Sequence, residues 1–114
     1  MKTHIKNSCY YICLLLLIAC NKIATEEIKI LIKNHKFIPD KIYVPTDKKI
    51  KLIIENQDDT VEEFESIDLK REKIVAGKSN IIISIGPLKE GTYSFFGEFN
   101  PDTATGFIIA KDND

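Results

Sequence analysis

Apolar residues that recur at every second position, in short segments bounded by Gly, Pro, Asn or Asp, constrain the fold of this chain most strongly. The first segment runs from Ile28 to Lys33, where isoleucine alternates with lysine and leucine. Later segments rich in β-branched residues are IKLIIEN (50–56), SNIIISIG (79–86) and GFIIAK (106–111). Such segments are typical of strands with one buried face, and no stretch keeps a helical period for three turns. We therefore predict an all-β chain of seven or eight short strands, folded as an antiparallel sandwich.

The start of the chain has the pattern of a secretory signal. Lys2 and Lys6 precede an apolar run from Tyr10 to Ala19, and a positive start followed by an apolar centre is typical of a signal peptide. The run is too short for a permanent membrane helix, which needs ~20 apolar residues. An export signal is therefore expected at residues 1–19.

The end of this signal matches the bacterial lipobox. Residues 17–20 read Leu-Ile-Ala-Cys, and in a lipobox the cysteine thiol receives a diacylglyceryl group and becomes the new N-terminus. We predict lipidation of Cys20, a tether over residues 20–27, and a membrane-anchored lipoprotein of the cell envelope that faces the periplasm. Asn21 leaves open whether the membrane is the inner or the outer one. The alternatives are an ordinary signal peptide cut elsewhere and an uncleaved anchor.

Cysteine content and charge narrow the function. Cys9 and Cys13 lie in the predicted signal, so the mature chain keeps only Cys20, which lipid would occupy. No disulfide or free thiolate is then expected. Without Lys2 and Lys6 the mature chain has 14 basic and 17 acidic residues, a net charge of −3. This balance argues against nucleic-acid binding, which needs a basic patch, and is compatible with cations.

Carboxylates are the most prominent group that could carry chemistry. One group lies within residues 58–72 and a second lies in the last loop, and carboxylates that converge from both would suit a divalent cation. The alternative is a solvated surface paired with Lys70, Arg71 or Lys73. Because one residue of register inverts a strand, the sequence leaves open whether Glu62 or Glu63 points inward. The acidic residues are Asp58, Asp59, Glu62, Glu63, Glu65, Asp68 and Glu72, then Glu98 and Asp102.

No catalytic set emerges from the sequence. His35 is the single histidine after the predicted signal, and we interpret it as a surface residue rather than a ligand. The glycines at 86, 91 and 97 are isolated and form no phosphate-binding loop. The chain is therefore not expected to be an enzyme.

Several motifs together resemble a known family. FIPDKIYVPTDKKIKLIIENQD (37–58), REKIVAGKS (71–79) and IGPLKEGTYSFFGEFNPDTATGFIIA (85–110) are similar to the cupredoxin-like domain of bacterial periplasmic proteins. The similarity is greatest to the type linked to EfeO and Ftr iron uptake systems. The resemblance implies a Greek-key β-sandwich over residues 28–111.

The resemblance also implies where copper ligands would lie in a blue-copper relative. Such a centre needs two His, one Cys and a weak Met. Here Glu62 or Glu63 lies near the first His position, Gly97 near the Cys position and Asn100 near the second His position. Met1 is the only methionine, so a type 1 copper centre and its electron transfer are excluded on chemistry.

What remains of the resemblance is an acidic metal site. In the EfeO type, a Glu-aromatic-Glu stretch followed by Arg-Glu is proposed to hold a cation, and Glu63-Phe64-Glu65 and Arg71-Glu72 match it. The cysteines of that type are missing here, and Asn100 stands where many relatives have His. The cation would be Fe, Mn, Zn or Cu, in an oxygen-rich site. Its predicted ligands are Glu63, Glu65, Glu72 and Glu98, with Glu62, Asp68 and Asp102 as further candidates.

Two functions follow as hypotheses. The first is a lipid-anchored accessory protein in divalent metal handling, with iron the expected metal and an iron permease or another envelope protein as partner. The second is a metal-free interaction module of the envelope, in which the acidic stretch contacts a basic partner.

Overall fold

A computed structural model describes residues 25–112 of the 114-residue chain. These residues form nine β-strands, which confirms the all-β prediction and adds one strand to the expected maximum of eight. Within this part of the chain there is no helix with the length and apolar character needed to cross a membrane. The strands are β1 (Thr25–Lys33), β2 (Lys36–Ile38), β3 (Lys41–Pro45), β4 (Lys49–Asn56), β5 (Glu62–Ser66), β6 (Arg71–Val75), β7 (Asn80–Ile85), β8 (Gly91–Gly97) and β9 (Thr105–Lys111).

The predicted signal and Cys20 lie outside the described residues. Strand β1 begins at Thr25, so residues 25–27 belong to the first strand and not to the predicted tether. The physical reason is pairing: Thr25, Glu26 and Glu27 face Lys49, Ile50 and Lys51 of β4 in a parallel ladder. Tertiary pairing therefore extends the strand beyond the apolar alternation that marks it in the sequence.

The strands form two sheets. The four-stranded sheet has the order β2-β1-β4-β7, and the five-stranded sheet has the order β3-β9-β8-β5-β6. Strand pairs β1–β4 and β3–β9 are parallel, and the other pairs are antiparallel. The chain changes sheet repeatedly, which makes the molecule a β-sandwich with its core between the sheets.

Alternating side chains build that core. In β4, Ile50, Leu52 and Ile54 are buried, whereas Lys49 and Lys51 lie on the outward side. Three aromatic rings join the sheets: Phe37 from β2 packs against Phe64 of β5 and Phe95 of β8. The ring centroids are 5.0 to 6.1 Å apart. The core consists of Ile30, Ile32, Phe37, Ile42, Val44, Ile50, Leu52, Ile54, Phe64, Leu69, Val75, Ile83, Ile85, Phe95, Ala104, Ile108 and Ala110. Residues 25–112 thus supply this whole core, and a chain that begins at Asn21 retains it.

Asp58 ties the turn between β1 and β2 to the loop after β4. Its carboxylate accepts hydrogen bonds from the backbone N–H groups of Asn34 (2.8 Å) and His35 (3.0 Å), which both have positive φ. The bond from His35 is the main reason that the pKa of Asp58 lies below its usual value. His35 is exposed in this turn, as predicted for a surface residue, with Nδ1 3.7 Å from Asp58 Oδ2.

Candidate metal site

The orientation of β5 answers the question that the sequence leaves open. Glu62, Phe64 and Ser66 are buried, and Glu63 and Glu65 lie on the outward face. Phe64 decides this register because its ring belongs to the aromatic core. A shift of one residue would turn Phe64 to solvent and bury two carboxyl groups, so the observed register is strongly favoured.

Glu62 is a buried residue, only 2% exposed, whose side chain is fully engaged. One carboxyl oxygen accepts hydrogen bonds from the backbone N–H groups of Glu63 and Phe99, both at 2.9 Å. The other accepts a bond from Asn100 Nδ2 at 2.7 Å. Buried polar groups need such partners to offset the loss of water. Glu62 thus fastens the last loop, residues 98–104 between β8 and β9, to the start of β5.

Gly97 leaves the space that Glu62 fills. A Cβ atom on Gly97 would lie 2.7 Å from Glu62 Cδ and Oε2 and 2.8 Å from Ala104 Cβ. A larger residue at this position therefore requires Glu62 to move. The three positions that the resemblance associates with copper ligands do converge, but they form a closed internal network of a carboxyl group, an amide and a glycine.

These residues do not fit a type 1 copper ion. Such a centre requires thiolate and imidazole donors, and residues 25–112 contain no Cys, no Met and one His, His35, in a different turn. The oxygens of Glu62 already accept N–H donors. Copper of this type is therefore incompatible with this end of the sandwich.

The last loop is also closed by its own backbone. Asn100 O accepts hydrogen bonds from the N–H groups of Thr103 and Ala104, and Ala104 O accepts one from Gly97. Thr103 Oγ1 donates to His35 O at 2.7 Å, which joins the loop to the β1–β2 turn. The contacts of the last loop are therefore made within the domain, with Glu62 and His35.

Three predicted ligands lie together on the outward face of the five-stranded sheet. One carboxylate oxygen from each of Glu63, Glu65 and Glu72 lies within 4.8 Å of the other two. Glu65 is directly opposite Glu72 in the β5–β6 pair. Glu98 lies beside this group: its backbone N–H donates to Glu63 O, and its negative charge contributes to the raised pKa values of Glu63 and Glu65. We call Glu63, Glu65, Glu72 and Glu98 the carboxylate cluster.

The cluster shifts the acidity of its members. Partial burial is the main cause that raises the pKa of Glu63, followed by the hydrogen bond and charge of Glu72 and by repulsion from Glu65 and Glu98. Partial burial also raises the pKa of Glu65, with repulsion from Glu72 and Glu98. Like charges at this spacing oppose one another's ionisation. A cation placed among them would relieve that repulsion.

This electrostatic arrangement predicts a pH effect for Glu63→Gln with Glu65→Gln. Because the folded-state pKa values of Glu63 and Glu65 are raised above 4.5, the folded state holds these protons more tightly. Their contribution to stability is therefore lost as pH rises from 4.5 through the raised values. The double variant, measured with a chelator present, should match the parent below this window and unfold at a higher temperature above it. A shift of equal size at all pH values would contradict this origin.

The other predicted ligands lie elsewhere. Asp68 accepts hydrogen bonds from Ser94 N (2.9 Å) and Ser94 Oγ (3.0 Å) and holds the β5–β6 turn against β8. Asp102 is exposed in the last loop and is not a member of the cluster. Glu62 is enclosed in the network described above. The structure therefore brings together the carboxylates of Glu63, Glu65 and Glu72, with Glu98 bonded beside them through its backbone, and places the three further candidates apart.

Nearby cations do not neutralise the cluster. Arg71 Nε donates to Ser84 O at 3.1 Å, and Lys73 Nζ donates to Ile82 O at 3.3 Å. Both side chains thus cover the open edge of β7, which would otherwise be free to pair with another strand. Among the described residues, the ion pairs of lysines involve Lys29, Lys48 and Lys78, and none reaches the cluster.

Sequence reasoning missed the role of Glu62 and Asn100. The available signal was the two-residue spacing of Glu62 and Phe64. Residues two apart in a strand lie on the same face, so an aromatic core residue at 64 places the side chain at 62 inward. No local pattern identifies Asn100 as the partner of Glu62, because the two residues are 38 positions apart.

Comparisons with known proteins agree with this architecture. A family model described as "Cupredoxin-like domain" matches residues 8–110. An uncharacterized protein of Rickettsia prowazekii (strain Madrid E) is 58% identical over 86 residues, which cover 75% of this chain and 69% of that protein.

Solved structures show the same fold at low identity. Auracyanin A, a "blue" copper protein from Chloroflexus aurantiacus, superimposes with a TM-score of 0.67 at 10% identity and covers 77% of this chain and 100% of its own. The metal-binding domain of the Cu(I)-exporting P-type ATPase CopA of Streptococcus pneumoniae D39 has a TM-score of 0.67 at 11% identity, covering 81% of this chain and 91% of that one. With nine strands in two sheets and a family model matched over most of its length, the chain belongs to the cupredoxin-like domain family.

Proposed function

We propose that this chain is a lipid-anchored cupredoxin-like protein of the cell envelope that binds a divalent cation through surface carboxylates. One observation carries the proposal: oxygens of Glu63, Glu65 and Glu72 lie within 4.8 Å of one another, with Glu98 beside them. The usual copper positions of the fold are filled by the Glu62 network. The proposed cation site therefore lies on the outward face of the sandwich and not at its end.

The donor set favours hard or borderline divalent ions. Carboxylate oxygens suit Mn(II), Fe(II) and Zn(II), whereas Cu(I) prefers thiolate and thioether sulfur. The solved relatives named above are described with copper or Cu(I), but the carboxylate cluster lacks the donors that Cu(I) needs. Half-buried Glu63 and Glu65 and exposed Glu72 leave coordination positions for water. Such an open site supports modest affinity and fast exchange, which suits delivery to an iron permease or another envelope protein rather than storage.

Calorimetric titration of a chain that begins at Asn21 tests this proposal. Fe(II) under anaerobic conditions, then Mn(II), Zn(II) and Cu(II), should each be titrated into the parent and into Glu63→Gln with Glu65→Gln. We expect one-site binding by the parent with Kd of about 10 μM or tighter, equivalent to roughly 7 kcal/mol, and loss of at least about tenfold in the variant.

A matched control makes the same change in net charge at positions outside the carboxylate cluster. Glu27→Gln with Glu90→Gln also removes two carboxylates, from exposed positions outside the cluster, and should bind like the parent. Equal binding by parent and cluster variant would refute the site. Heats no larger than buffer blanks for every metal would refute cation binding by this domain.

A second function rests on the surroundings of the cluster. Ile74 and Ile67 are 56% and 74% exposed, and Ile74 pairs directly with Glu63. Apolar side chains beside unneutralised carboxylates suit a protein interface with a basic partner. If all four metals give blank heats, this metal-free interaction module becomes the favoured function, and salt should weaken its complexes by screening.

A further inference from the structure

The outward face of the four-stranded sheet is rich in lysine. β1, β2 and β4 alternate between the core and this face, and their outward positions carry five lysines against the two carboxylates Glu27 and Glu55. Lys33 and Lys36 lie near one end of the sheet, Lys49 and Lys51 near the other, and Lys29 between them. We call them the lysine face: Lys29, Lys33, Lys36, Lys49 and Lys51.

The two sides of the sandwich therefore have opposite charge. The carboxylate cluster lies on the outward face of the five-stranded sheet, and the lysine face lies on the outward face of the other sheet. The predicted mature chain is acidic, with 14 basic and 17 acidic residues. Because the chain as a whole is acidic, the positive charge of this face results from where its lysines are placed and not from an excess of basic residues.

Much of this positive charge is not neutralised by the domain itself. Lys33 lies directly opposite Lys36 in the β1–β2 pair, and like charges in that position destabilise a sheet. The ion pairs of lysines among the described residues use Lys29, Lys48 and Lys78. Lys33, Lys36 and Lys49 thus carry charge that an external anionic surface would compensate.

Strand β1 begins beside one end of the lysine face. Thr25 is an outward residue of β1 and lies opposite Lys49. Five residue steps separate it from Cys20, a span of at most about 18 Å at roughly 3.5 Å per residue. A lipid on Cys20 would therefore hold the domain close to the bilayer. This step alone rests on the lipid anchor of the proposed function, whereas the charge of the lysine face does not.

We propose that the lysine face is the membrane-facing side of the domain and binds anionic phospholipid headgroups. Basic residues near an anionic bilayer are attracted within about one Debye length, roughly 10 Å at 0.1 M salt. On this face Lys33 and Lys36 lie at one end of the sheet and Lys49 lies at the other. The same orientation turns the carboxylate cluster away from the bilayer, where ions and partner proteins have access.

Vesicle sedimentation with the unlipidated chain from Asn21 tests this orientation. The probes are vesicles of phosphatidylcholine with about 30% phosphatidylglycerol and vesicles of phosphatidylcholine alone, at an ionic strength of about 0.02 M. We expect binding to the anionic vesicles only, with release at about 0.5 M salt. No binding above the neutral vesicles would overturn the proposal and leave an acidic protein as the alternative occupant of the face.

Two triple variants distinguish the effect of the lysine face on vesicle binding from the effect of net charge. Lys33→Gln with Lys36→Gln and Lys49→Gln should lower the partition coefficient at least about tenfold. Lys41→Gln with Lys89→Gln and Lys111→Gln removes the same charge from exposed positions outside the lysine face and should change it less than about twofold. Equal losses in the two triples would overturn the assignment.

A third triple guards against loss by misfolding. Lys33→Arg with Lys36→Arg and Lys49→Arg keeps the charge and should bind like the parent. Loss of binding in this variant, with its thermal unfolding unchanged, would overturn the electrostatic basis. Because no metal enters any of these measurements, their outcome is independent of the cation titration.

Discussion

Glu62→Ala is expected to lower the melting temperature by roughly 15 °C. The change removes the acceptor of two backbone N–H groups and of Asn100 Nδ2 at a site that is 2% exposed. Each buried donor left without a partner costs ~1–3 kcal/mol, and with some access of water we expect a loss of about 3 kcal/mol in total. One kcal/mol corresponds to ~4–8 °C in a domain of this size. Thermal and urea unfolding of the chain from Asn21 measure the effect.

The controls for this prediction lie next to the residue. Glu63→Ala changes the neighbouring outward position and should not lower stability, since it relieves repulsion in the carboxylate cluster. Glu62→Gln should cost only about 1 kcal/mol, because Asn100 can rotate its amide and present oxygen to the new NH₂ group. A double-mutant cycle of Glu62→Ala with Asn100→Ala should give a coupling of about 1 kcal/mol. Equal melting temperatures for Glu62→Ala and Glu63→Ala would contradict the network.

The relation of β5 to its neighbours shows what sequence reasoning could reach. The turn between β5 and β6 is short, so pairing of Glu65 with Glu72 follows from local sequence once both segments are strands. The carboxylate cluster could therefore be predicted in composition from the spacing and the family resemblance. The placement of Glu63, Glu65 and Glu72 on one face follows from the strand period of two, whereas Glu98 reaches them only through the pairing of β5 with β8.

Contacts between distant segments could not be predicted in this way. Glu62 meets Asn100 only because β5 lies beside β8 in the sheet order. The lysine face likewise depends on the parallel pairing of β1 with β4, since each of these two strands alone carries only two outward lysines. Strand order is a property of the whole chain, and no single segment encodes it.

Short elements were also missed for a physical reason. Strand β2 has three residues, Lys36–Ile38, too few to show a period. It forms because the turn at Asn34 and His35 is held by Asp58, and because Phe37 packs on Phe95 with centroids 5.0 Å apart. Tertiary contacts therefore decide whether this additional strand forms.

Phe64→Ala is expected to be more damaging than the loss of Glu62. The ring is fully buried, with its centroid 5.2 Å from that of Phe95 and 6.1 Å from that of Phe37. Removal of a buried phenylalanine ring costs 3–5 kcal/mol, and because this ring lies between the two sheets we expect about 4 kcal/mol. That loss corresponds to a fall of roughly 20 °C in melting temperature.

Phe107→Ala is the matched control for this ring. Phe107 belongs to the same five-stranded sheet but is 46% exposed on its outward face, so its removal should cost less than about 1 kcal/mol. Equal destabilisation by the two changes would mean that the register of β5 is wrong. Because that register directs Glu62 into the closed network and Glu63 and Glu65 into the carboxylate cluster, the comparison tests the common physical basis of both sites. A single apolar side chain thereby determines which carboxyl groups of β5 are available to a cation.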